Sequence, residues 1–127
     1  MQRIIVNMRN HLLCRAIEVE LKQNDNFFSI STVKQPTEVT KTCSESKPDI
    51  LLMEVTGYSS WALPERLAIR DEVKKTEPNC KVVLIVDENS EKELAEQVKQ
   101  AKKDGAIDFF IYGSTSAAFL VALLETL

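Results

Sequence analysis

Oxygen-bearing side chains recur in this sequence where an apolar run stops. Asn7 follows "RIIV", Glu54 follows "ILLM", Asp87 and Glu88 follow "VVLIV", and Tyr112 closes "IDFFIY". A carboxylate so placed has three chemical uses. It attacks a phosphoryl donor, it ligates a hard divalent cation, or it remains a solvated anion at the end of a buried segment. Glu54, Asp87 and Glu88 together would make a cation site, whereas a solvated "VDENS" loop with Asn89 or Ser90 capping the next helix asks for less. "GSTS" (113–116) has the hydroxyls and glycine of a phosphate-gripping loop, yet a helix N-cap at Ser114 or Thr115 accounts for it more simply. His11 is the single histidine, so neither a Ser–His–Asp set nor a multi-histidine metal centre is available. Cys14, Cys43 and Cys80 are odd in number and widely separated, which fits reduced thiols and neither a disulfide framework nor a zinc site. No metal and no cofactor is expected.

Elements must bring these residues together. Short β-branched runs predict strands at 3–6, 27–33, 49–55, 81–86 and 107–112, the second alternating as a half-buried or edge strand does. Helical patterns lie between them. Asn10 can cap a helix with Leu13, Ile17 and Leu21 on one face. Pro36 suits the first turn of a weak helix marked by Val39 and Cys43. Pro64 opens a third helix whose inward residues are Leu67 or Ala68, Ile69 and Val73, with Pro78 and Asn79 closing it; Trp61 just ahead covers its start or stands out as a binding anchor. Leu94, Ala95, Val98 and Ala101 stripe a fourth helix at 91–103, stopped by Gly105, and a fifth runs to the C-terminus. Strands this apolar, separated by helices, belong to a parallel sheet covered on both faces, which places function at the C-terminal strand ends.

The 127 residues allow one domain, 1–127, with a single good core. Sixteen basic and nineteen acidic side chains leave a net charge of −3, which argues against direct nucleic-acid binding by this segment. The longest apolar run, Ala117–Leu124, is too short to span a bilayer, and "MQRIIVNM" reads as a strand rather than a signal peptide, so the expected location is the cytoplasm.

On these residues the chain resembles the receiver (CheY-like) domain of two-component response regulators, over almost its full length. "PDILLMEV" is similar to that family's Pro-Asp-aliphatic run into its phospho-accepting Asp, and "GAIDFFIYG" to its Gly-Ala-Asp fifth-strand segment. The resemblance implies an α/β, three-layer (βα)5 sandwich with a five-stranded parallel sheet, flavodoxin-like and of receiver type. It also implies a site with an acidic pair, an acceptor Asp, a hydroxyl residue and a lysine. Here the pair falls on Asn7 and Met8, the acceptor on Glu54, the hydroxyl position on Val86, beside Asp87, and the lysine on Tyr112; Phe109 falls on the switch aromatic. Met8 offers no oxygen to magnesium, Val86 no hydrogen bond and Tyr112 no compact cation, so the expectation is a pseudo-receiver.

Glu54 then has three readings. It imitates a phosphorylated Asp, its extra methylene carrying the charge about 1.5 Å outward with Arg9 as partner in place of a metal; it is an unorthodox phosphorylation site; or it is a partly solvated carboxylate. The functional expectation is signalling by protein contact without aspartyl phosphorylation, and not an enzyme. The alternatives are a phosphorylatable receiver using Glu54 and, less favoured, a small flavodoxin-like enzyme or cofactor carrier. An all-apolar last helix predicts that some of Phe119, Leu120, Leu123 and Leu124 are covered by a partner. That partner is a second copy, through the fourth helix, fifth strand and fifth helix, or an effector domain, transcriptional in one reading, of a longer regulator.

Overall fold

Continuous apolar strands need cover on both faces. The computed structural model, which describes residues 2–23 and 27–127, supplies it with helices on each side of one sheet. In chain order the elements are β1 (Gln2–Asn7), α1 (His11–Gln23), β2 (Phe28–Val33), α2 (Val39–Ser46), β3 (Ile50–Glu54), α3 (Leu63–Thr76), β4 (Lys81–Val86), α4 (Lys92–Lys103), β5 (Phe109–Tyr112) and α5 (Ala117–Leu124). Short 3-10 turns at Pro36–Glu38 and Ser59–Trp61 lead into α2 and towards α3.

The strands are all parallel in the order β2-β1-β3-β4-β5, so the order reverses between β1 and β3. Side chains alternate across the sheet and divide the interior in two. Ile5, Leu51, Met53, Val82, Leu84 and Val86 face Val39, Cys43, Val73, Ala95 and Val98 of α2, α3 and α4. Ile4, Val6, Leu52, Val83 and Ile85 face Ile17 and Leu21 of α1 and Leu120, Val121 and Leu124 of α5. This is the (βα)5 sandwich that the alternating pattern predicts.

Element ends follow local chemistry. Asn10 caps α1, its Oδ1 accepting the Leu13 amide at 3.1 Å. Gly105 ends α4 with a φ of 78°, a conformation glycine adopts without strain. Two expected caps are elsewhere. Glu91 stands at the N-cap of α4, which starts at Lys92, so neither Asn89 nor Ser90 caps it; their amides donate instead to Asp87 Oδ1 at 3.1 and 3.4 Å. Ser116 rather than Ser114 or Thr115 caps α5, its hydroxyl accepting the Phe119 amide at 3.2 Å, one residue after a turn in which the Thr115 amide donates to the Tyr112 carbonyl at 3.0 Å.

That one-turn choice fixes the phase of α5 and divides its apolar residues. Leu120 and Leu124 are fully buried under the sheet and Leu123 packs partly against the same core. Only Phe119 of the four faces out, 59 % exposed. Leu120 and Leu124 are therefore core residues and not interface residues: at i and i+4 they share the face turned to α1 and the sheet.

Candidate functional site

β1 and β3 part company just where their order reverses, and Asn7, Met8 and Glu54 sit at that point. Asn7 is fully buried. Its Nδ2 donates to the Val33 carbonyl of β2 at 2.7 Å, and its Oδ1 accepts from Arg66 Nη1 at 2.7 Å. Met8 is buried in the α1/α5 core, so it presents nothing to a ligand. Glu54 ends β3 half-buried, and its Oε1 accepts two backbone amides of the 8–10 loop, Arg9 at 2.6 Å and Asn10 at 2.7 Å. The carboxylate is thus held by two N–H dipoles.

Arg9 meets Glu54 through its main chain only. Its guanidinium lies 3.9 Å from the ring centre of Tyr58, on the loop after β3. The cation beside Glu54 is Arg66, in the first turns of α3, with no exposed surface. Arg66 Nε donates to the Glu54 carbonyl at 2.8 Å, Nη2 reaches the Asn7 carbonyl at 3.4 Å, Met53 Sδ lies 3.4 Å from Nη1, and the guanidinium carbon lies over the Trp61 indole, 4.8 Å from its centre. Burial pulls the guanidinium down to about 10, with the Glu54 charge acting in the opposite direction, so it stays cationic at neutral pH. Trp61 covers this arginine rather than projecting as an anchor. Sequence pattern alone passed over Arg66, which lies two turns ahead of inward-facing Val73; that spacing was the available signal.

β4 and β5 bring the remaining positions into register. Val86 pairs directly with Tyr112. Val86 is wholly inside the core, whereas Asp87, one residue on, lines the cleft. The Ser90 hydroxyl, with the Asn89 and Ser90 amides, holds the Asp87 carboxyl below the ordinary carboxylate range against the opposing effect of burial. Glu88 turns away, its Oε1 accepting the Ser114 amide at 3.3 Å. Among the described residues no three acidic, histidine or cysteine side chains converge as a metal site, so Glu54, Asp87 and Glu88 do not assemble one. The "GSTS" segment supplies the α5 cap. Tyr112 is half-buried, edge-on to Phe110 at 5.5 Å, and Phe109 packs half-buried against the α1/α5 core.

Above these residues lies an open cleft of about 1140 Å³, bounded by the Arg9–Tyr58 pair, Glu54, Asp87, Glu91 and Leu94. Its two walls, the loops after β3 and β4, come close at Gly57, where a side chain would meet Glu91 Oε2 at 3.2 Å. The thiols take no part. Burial, then the neighbouring Cys80 and Glu77, pushes Cys43 up to about 12; burial pushes Cys80 up to about 11 against the pull of Lys74; Cys14 is raised by burial and by Glu18 and Glu54. All three stay protonated at neutral pH.

No protein-family model matches the chain, and no curated protein matches it. Solved structures do. The inactive form of the regulatory domain of the repressor of iron transport regulator (RitR) superposes with a TM-score of 0.77 at 15 % identity, over 99 % of this chain and 94 % of that one. The chemotaxis protein CheY4 of Vibrio cholerae gives 0.76 at 13 % identity, over 99 % and 98 %. A member of a redox-sensor family of the streptococci, evolved from two-component response regulators, gives 0.78 at 15 % identity; 99 % of this chain matches half, 50 %, of that one. With the strand order, the switch between β1 and β3 and near-complete coverage of the first two of these neighbours, the chain has the flavodoxin-like fold of response-regulator receiver domains.

Proposed function

We propose that this chain is an atypical receiver domain of two-component-type signalling, a pseudo-receiver that acts by protein contact and not by aspartyl phosphorylation or any other catalysis. One observation carries the reading. The carboxylate at the acceptor position is already engaged by the Arg9 and Asn10 amides, with the buried Arg66 cation behind it. Nothing at Met8, Val86 or Tyr112 supplies the oxygen, hydroxyl or ammonium group that phosphoryl transfer to a carboxylate calls for. Glu54 in this reading holds the 8–10 loop in one position, as a permanent charge in place of a transient one.

The same reading makes residues 1–127 one domain that hands its state to a protein partner or to an effector domain, transcriptional in the simplest case, without binding nucleic acid itself. Phe119, exposed on α5, is the contact residue we assign to that partner, with a homodimer through α4, β5 and α5 as the first arrangement to test. Phe109 retains its place on β5 but lacks a hydroxyl residue at Val86 to respond to. The cytoplasm remains the proposed location; among the described residues no helix is long and apolar enough to cross a membrane.

The deciding experiment adds magnesium with a small phosphodonor, or with beryllofluoride, and follows amide shifts and intact mass. No mass increase and no shift at residues 7–10, 54 and 86–88 is the expected result. A magnesium-dependent response at Glu54 would establish the unorthodox phosphorylation site instead, and a copurified chromophore would favour a flavodoxin-like cofactor carrier.

A further inference from the structure

A buried guanidinium without a hydrogen-bonded carboxylate is a costly thing for a small domain to keep. Arg66 has no exposed surface, and each of its nitrogens points at a neutral acceptor: the Glu54 carbonyl, the Asn7 side-chain oxygen and the Asn7 carbonyl. These acceptors come from the ends of β1 and β3, which are neighbours in the sheet but feed different loops. The contacts continue outward on both sides. Asn7 passes from Arg66 to the Val33 carbonyl at the end of edge strand β2, and Glu54 passes from Arg66 to the Arg9 and Asn10 amides. One cation therefore ties together three strand ends, the 8–10 loop and the start of α3.

The chemistry around the group is matched to a guanidinium in particular. Its three nitrogens reach three oxygen acceptors, its central carbon lies over the Trp61 indole, and a thioether sulfur lies beside Nη1. Indole and thioether suit a flat, weakly hydrated cation; magnesium asks for an octahedral set of oxygens and for charged carboxylates, and an ammonium presents no plane to stack.

We propose that Arg66 is a tethered structural cation that fixes the ends of β1 and β3 and the 8–10 loop in a single arrangement, in a pocket that would bind free guanidinium if the side chain were removed. The inference deepens the reading above and rests on it only for its signalling meaning; the pocket and its selectivity belong to the geometry alone.

The test is chemical rescue in the full chain. Arg66→Ala should melt at a lower temperature than the wild type and exchange the Arg9 and Asn10 amides roughly tenfold faster or more, as expected when a charge-assisted hydrogen bond is lost. Low-millimolar guanidinium should restore both properties in the variant and neither alter the wild type nor be replaceable by methylammonium or magnesium. Should Arg66→Ala fail to fold even with guanidinium, Arg66→Lys decides: it keeps the charge, loses the fork, and should fold with fast exchange at the same two amides. Unchanged exchange in a folded Arg66→Ala, equal rescue by magnesium or methylammonium, or a wild-type pattern in Arg66→Lys each overturns the proposal. A phosphodonor response in the wild type would overturn the functional reading while leaving guanidinium rescue intact.

Discussion

Glu54 and Asp108 are both carboxylates that accept backbone amides, and they stand at opposite ends of the sheet. At the functional end, Glu54 Oε1 takes the Arg9 and Asn10 amides. Replacing it with alanine leaves those donors to water and should cost about 1–2 kcal/mol in urea denaturation, with the loss concentrated in the 8–10 loop by amide exchange. Asp108, just ahead of β5, accepts the Val82 amide at 2.8 Å and Lys74 Nζ at 3.1 Å. Partial burial raises its carboxyl, but the Val82 amide and the Lys74 ammonium outweigh that and hold it below the ordinary 3.8. A depressed folded value means that stability from Asp108 is present above the unfolded value and is lost as pH falls through the folded one. Wild-type stability should thus decline below about pH 4, and Asp108→Asn should flatten that decline while lowering stability at pH 7. Thiol chemistry offers a separate check. Cys43 and Cys80, buried and raised, should react with a disulfide reagent only after unfolding, with Cys14 alone modified in the native protein.

Helix α5 shows how far an element can be read before it is built. Its existence and apolar character are plain in the sequence, and so are the five strands, their order of appearance and the placing of Asn7 and Glu54 at strand ends. Its phase was not, because Ser114, Thr115 and Ser116 are equally good caps in isolation and the backbone path out of β5 places Ser116 at the cap. Leu120→Ala should accordingly cost about 2–5 kcal/mol, the range for emptying a packed core site, and Phe119→Ala should stay within about 0.5 kcal/mol in the isolated domain. Thermal unfolding of the two variants separates them cleanly. Helix α3 carries the same lesson for the site. Apolar periodicity finds Val73, but an inward-facing arginine scores as polar and is passed over, although its stem, ring contacts and backbone acceptors make Arg66 as much a core residue as any leucine. Asp87 is legible as the residue after the fourth strand, but that it and not Val86 or Glu88 faces the cleft depends on sheet register.

For the molecule as a whole, association is the property most open to measurement. If Phe119 is the centre of a self-contact, sedimentation should show a monomer–dimer equilibrium that Phe119→Ser weakens about tenfold or more, in keeping with loss of a single aromatic anchor. A strictly monomeric wild type at high concentration would remove the homodimer and leave a heterologous partner. The edges of the sheet bear on how any such partner is met. β2 is six residues long and turns Ser29, Ser31 and Thr32 outward, followed by exposed Lys34, and β5 has only four residues. The polar exposed residues of β2 and the four-residue length of β5 make each edge a poor template for an added strand. Under the proposed reading a partner is met by side-chain surfaces of α4, β5 and α5 rather than by an added strand, so specificity can be altered one residue at a time and runaway strand pairing finds no ready edge.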